Sequence, residues 1–144
     1  MRTLLLALVA FATVADAQDR AIAAGVSMPA GYLAVEYVRH PVGEPVGVAA
    51  GVGLAGVGGR VQVRLREQST DYGFNSRYLS AGVLVSPWRF STFDTPAALA
   101  VEYGAEFVGP LYISMAGGGM VPLGGTINGH HLLPSIRFVV GAAI

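Results

Sequence analysis

Arg60-Val61-Gln62-Val63-Arg64-Leu65-Arg66 decides the fold. Polar and aliphatic residues alternate through it with a period of two. A helix would scatter the three arginines around its circumference, whereas a strand places Arg60, Gln62, Arg64 and Arg66 on one face and Val61, Val63 and Leu65 on the other. The same period runs outward in both directions. Upstream, Val46, Val48, Ala50, Val52 and Leu54 separate from Gly47, Ala49, Gly51, Gly53 and Ala55, and Leu33, Val35 and Tyr37 from Ala34 and Glu36. Downstream, Leu99, Val101, Tyr103 and Phe107 alternate with Ala98, Ala100, Glu102, Gly104 and Glu106, and Ile136, Phe138 and Val140 with Ser135, Arg137 and Val139. A glycine-zipper helix is the competing reading of 43–59, where small residues recur every fourth position, but the clean sorting of large from small side chains at period two favours a strand.

Turn signals divide the chain into eight strands at about 20–28, 31–39, 46–56, 60–67, 78–88, 97–108, 111–121 and 132–143. The breaks include Gly56 to Gly59, a longer loop over 69–77, and Asn128-Gly129, both of which tolerate positive φ. Pro87 and Pro134 fall inside expected strands, where each removes a ladder hydrogen bond and marks an end or a bulge. The expected fold is all-β: an up-and-down antiparallel barrel of eight strands in a single domain, 18–144.

Residues 1–17 read as a signal peptide. Arg2 precedes an apolar run from Leu4 to Val14, and Ala15-Asp16-Ala17 fits a small-x-small cleavage site, so the exported chain is expected to begin at Gln18. Past this segment no apolar run reaches the length of about 20 residues needed for a spanning helix.

Composition narrows the function. The 144 residues include 20 glycines and no cysteine, are 53% hydrophobic and 12% charged, and have a mean hydropathy of +0.55. That is too apolar for disorder, and the missing thiols exclude disulfides, cysteine nucleophiles and zinc–thiolate sites. All nine cationic side chains are arginines, balanced by nine carboxylates, so no net field points to nucleic acid.

Two barrels share this pattern: a soluble one with its apolar face inward, and a membrane one with that face outward. The glycine- and alanine-rich second face is too sparsely polar for a water surface and favours the membrane form. Its long residues, Glu36, Glu102 and Glu106 against Arg60, Arg64, Arg66 and Arg137, then meet as ion pairs in the lumen, with small residues on neighbouring strands making room. Tyr37, Tyr103, Phe107, Phe138 and the cluster Trp88, Phe90, Phe93 are candidates for aromatic girdles.

The export segment, the eight period-two strands, the high glycine content and the alternating apolar C-terminal strand together resemble the small eight-stranded outer-membrane barrels of the opacity-protein and OmpA-transmembrane-domain type. The resemblance covers nearly all of 18–144. It implies an outer-membrane location, the lipid bilayer as partner, a monomer, and a structural or surface-interaction role in the cell envelope without an open pore. The alternative is a soluble periplasmic or secreted barrel binding a small apolar ligand, and a lipid-modifying barrel enzyme ranks third. No catalytic, cofactor or metal site is expected. His131 and Ser135, four apart on a strand, are separated by roughly 13 Å, too far for a nucleophile and its base. Adjacent His130 and His131 would point to opposite faces. Glu102 and Glu106 have the spacing of an acid/base pair, but the nearby arginines favour structural ion pairs.

Overall fold

The computed structural model describes residues 20–28, 33–41, 43–86 and 93–144, with backbone alone for 27–28 and 93–94. The expected signal peptide 1–17, Pro87, Trp88 and Phe90, and the side chain of Phe93 lie outside this description. The strands are β1 (Arg20–Met28), β2 (Ala34–Arg39), β3 (Val46–Gly53), β4 (Gly56–Thr70), β5 (Gly73–Val85), β6 (Phe93–Asp94), β7 (Ala97–Val108), β8 (Leu111–Leu123), β9 (Thr126–Ile127) and β10 (Leu133–Ala143). Eight of them close in the order β1-β10-β8-β7-β5-β4-β3-β2, each antiparallel to its neighbours, and β6 pairs with β9 outside the barrel sheet. The all-β, eight-stranded, up-and-down barrel is therefore the fold of this chain.

On the side of the chain termini Asp71-Tyr72 joins β4 to β5, Gly109-Pro110 joins β7 to β8, and 40–45 joins β2 to β3. The longer connections, 86–96 and 124–132, lie at the opposite end, where Phe93↔Ile127 and Asp94↔Thr126 stitch them together. Asn128 and Gly129 turn with φ of 51° and 77°, the left-handed conformation that this dipeptide tolerates. The loop expected over 69–77 does not exist. Thr70 pairs with Gly73 across a two-residue turn, and the polar residues on either side continue the two strands. Likewise 56–59 begins β4, the turn having closed at Leu54-Ala55. Pro134 is exposed and lies beyond Met28↔Ile136, the last pair of β10 with β1, so no β1 residue pairs with it.

Alternation then decides the faces. Val61, Leu79, Val101, Met115 and Phe138 are exposed on the outside, and all eight barrel strands add large apolar side chains to that surface. Between its two ends the inward face is mostly small, polar or charged. Two apolar clusters fill the lumen ends: Val38, Phe74, Val108, Tyr112 and Val139 with three alanines on the terminus side, and Ala98, Ala100, Met120 and Ile127 on the other.

Inward glycines leave the space that long neighbours occupy. A Cβ on Gly104 would sit 2.6 Å from the Tyr78 hydroxyl and 2.6 Å from the Met115 carbonyl, and one on Gly82 would sit 2.8 Å from Arg60 Cβ. Outward Gly117 has nothing closer than the Ser135 carbonyl at 3.9 Å. Gly104→Ala is therefore expected to destabilise the barrel by about 1–3 kcal/mol, the usual cost of overpacking. Gly117→Ala should stay within about 0.5 kcal/mol of the parent, as surface changes do. Equilibrium urea titrations of both variants check the contrast.

Candidate functional site

The polar interior has two linked centres. The first is built around Arg137 of β10, which is 2% exposed. Its Nη1 donates to Glu36 of β2 at 3.2 Å, its Nε is 3.5 Å from Glu102 of β7, and its Nη2 donates to Ser114 of β8 at 3.1 Å and to the Tyr78 hydroxyl of β5. Arg60 of β4 meets the other oxygen of Glu36 at 2.9 Å. Ser135 donates to Glu102. Two guanidinium groups thus sit on two carboxylates with hydroxyls beside them, and this pairing of charges makes them tolerable inside a barrel, although Arg60 Nη2 and Arg137 Nε make no hydrogen bond among the described residues.

The second centre surrounds Glu106, whose side chain is fully buried. It accepts from Ser76 at 2.8 Å, from Gln62 and the Tyr112 hydroxyl at 3.2 Å each, and from Arg64 at 3.4 Å. His40 Nδ1 lies 2.8 Å from both Glu106 and Gln62. Arg64 also binds Glu67 at 2.6 Å, donates to the carbonyls of His40, Pro41 and Glu44, and stacks its guanidinium over Phe74 at 4.8 Å. This centre closes the terminus-side mouth.

Six of the seven charged residues expected in the lumen, Glu36, Arg60, Arg64, Glu102, Glu106 and Arg137, meet in these two centres. Arg66 does not. The register slips between Arg64↔Tyr78 and Arg66↔Arg77, so Leu65 is an extra residue on β4 and the alternation beyond it changes phase. Arg66 moves to the outer face beside exposed Arg77, and Glu67 takes the inward phase in its place. Partners that the charge pattern did not single out are Gln62, Ser76, Tyr78, Tyr112 and Ser114, all on the inward phase of their strands, and His40, which continues the inward set Glu36, Val38 just past the end of β2.

The residues considered for catalysis stay apart. His131 is exposed in the 124–132 connection, whereas Ser135 is buried against Glu102. Glu102 and Glu106 belong to different centres, each held by its own arginine. Among the described residues no three His, Asp or Glu side chains converge as metal ligands. Beside Arg60 and Arg137, on the side away from the termini, is a cavity of about 60 Å³ walled by Ala34, Gly51, Gly58 and Gly82.

Comparison of the chain with protein-family models, with curated proteins and with solved structures finds no match.

Proposed function

We propose that this chain spans the outer membrane as an exported, monomeric barrel and serves the cell envelope as a structural or surface-interaction component without an open pore. One observation carries the reading: the polarity of the fold is inverted. Large apolar side chains from all eight strands form the exposed surface, while carboxylates and guanidinium groups sit inside, 2–5% exposed at Glu36, Glu102, Glu106 and Arg137. In water that arrangement leaves apolar area exposed and places ions at a desolvation cost, both unfavourable. In a bilayer the same surface meets hydrocarbon, and closure of the sheet satisfies the backbone.

Filling of the lumen argues against conduction. The alternative of a soluble carrier for a small apolar ligand finds little support in the cavity beside Arg60 and Arg137, which at about 60 Å³ is well below the roughly 300–1,000 Å³ of ligand pockets. The buried carboxylates Glu36, Glu102 and Glu106 are each paired with arginine, which argues against their acting as a free acid or base in lipid chemistry. Surface contacts then fall to the end away from the termini, where exposed Leu132, His130 and His131 flank the β6–β9 clamp.

Fractionation of expressing cells tests this directly. The chain is expected with outer membranes, migrating at different positions in gels before and after boiling. Recovery in the soluble periplasmic extract, with one mobility, would overturn the reading in favour of the soluble barrel.

A further inference from the structure

The outer face is not apolar throughout. Below Leu65 and Leu79, on the side of the termini, the bulge sets Arg66 directly opposite Arg77. Like charges directly opposite on adjacent strands repel, and among the described residues neither guanidinium has a carboxylate within ion-pair distance. Arg77 is oriented by the Tyr103 hydroxyl, to which it donates at 3.2 Å.

These two arginines line an outward groove of about 420 Å³. Small Ala105 lies next to Arg77 across the ladder and forms its floor, Met115 closes that row, and Phe107 and Ile113 give an apolar wall. Gln68 and Asn75, a cross-strand pair one step nearer the terminus-side turn, bring amides to its lower edge. Glu106 also borders the groove, but its carboxylate is committed inward to Arg64, Ser76 and Gln62. Arg39 and Arg20, opposite each other on β2 and β1, lie at the same end of the barrel, as do exposed Glu44, Glu67 and Asp71.

We propose that this groove binds the phosphate of an anionic phospholipid in the leaflet on the terminus side, with Arg66 and Arg77 forking onto the phosphate oxygens. The headgroup hydroxyls meet Gln68 and Asn75, and the first acyl methylenes lie against Phe107, Ile113 and Met115. A shared anion turns the repulsion of two facing guanidinium groups into two charge-assisted contacts, and the planar fork of arginine matches phosphate geometry. The assignment rests on the membrane-spanning reading, since only there does a lipid headgroup lie at this height.

The test uses the full chain folded in a non-ionic maltoside detergent and followed by the backbone amide chemical shifts of Arg66, Arg77 and Ala105. Folding of every variant is first verified by heat-modifiable mobility, and a chain that stays folded and soluble without detergent removes the membrane reading before any lipid is added. Dihexanoyl phosphatidylglycerol is expected to give saturable shifts at these three amides. At about 1 kcal/mol per arginine, Arg66→Gln or Arg77→Gln should weaken that binding roughly five-fold and the double change at least about twenty-fold. Arg39→Gln should leave it unchanged. Should the double variant fail to fold, Arg66→Lys with Arg77→Lys, which keeps the charge and loses the fork, is expected to bind more weakly than the parent. Absence of saturation, undiminished affinity in every arginine variant, or equal affinity for inorganic phosphate would overturn the proposal.

Discussion

Arg137→Met is expected to lower the unfolding free energy of the barrel by about 3–5 kcal/mol, the usual result of removing one partner from a buried ion pair. The loss has a specific origin. Arg137 is the only cation within ion-pair distance of Glu102 among the described residues, so its removal leaves that carboxylate with Ser135 alone. Glu36 retains Arg60. Glu102→Gln alone removes a charge while keeping an acceptor for Ser135, and it unbalances the centre in the opposite sense. The double variant, Arg137→Met with Glu102→Gln, should therefore recover part of the loss, and a double-mutant cycle in urea, with the chain folded into lipid vesicles, measures the coupling. Additive costs would mean that the two side chains stabilise the barrel independently and that the 3.5 Å contact contributes nothing.

The second large effect belongs to the outer face. Val101 lies near the middle of β7, 55% exposed, between outward Ala81 and Gly119 on the neighbouring strands. Placing Arg there should cost about 2–4 kcal/mol if this face meets the bilayer midplane, falling to about 0–1 kcal/mol towards the interface. Val101→Arg, Tyr103→Arg and Phe107→Arg descend the strand towards the terminus side, so their costs should descend in that order, with Leu99→Arg giving the course towards the other end. Folding titrations of the four variants into vesicles read the gradient. A flat series near zero would identify a face in contact with water.

How much of this was legible depended on whether neighbouring residues alone set the feature. β1 and β7 coincide with the expected 20–28 and 97–108, and β10 differs from 132–143 by one residue at its start, because period two and the flanking turn residues are local signals. The β4–β5 hairpin was misplaced for a reason that is also local. Gln68, Ser69, Asn75 and Ser76 look like loop residues, yet at a barrel rim polar residues can continue a strand, and Gly73 permits the turn to close after Asp71-Tyr72. The bulge at Leu65 leaves no mark in the sequence. It is a relation between two strands, visible only in their pairing, and it alone exchanges Arg66 for Glu67 on the inner face. The neutral partners were legible in part, since Gln62 sits between Arg60 and Arg64 on the same phase and Ser135 precedes Arg137 by two. Assigning Ser114 and Tyr78 to the Arg137 centre required knowing that β8 pairs with β10 and that β5 reaches it from further round the barrel.

The closure of the sheet bears on how the barrel assembles. Around the circumference, strands adjacent in the sheet follow one another along the chain, except at the seam where β1 meets β10. Arg137, on the last strand, finds Glu36, on the second, across 101 residues of chain. Hairpins added one after another can place Arg60 near Glu36 and Glu102 near β8 early, but the cation that bridges the two carboxylates arrives only with the final strand. Joining the seam and neutralising the interior are thus a single event. The entropy of closing so long a loop rises only logarithmically with its length, while an open sheet in hydrocarbon holds both unpaired edges and unbalanced charge. Partly built forms are penalised twice, and folding is expected to run to completion in one cooperative step at the seam.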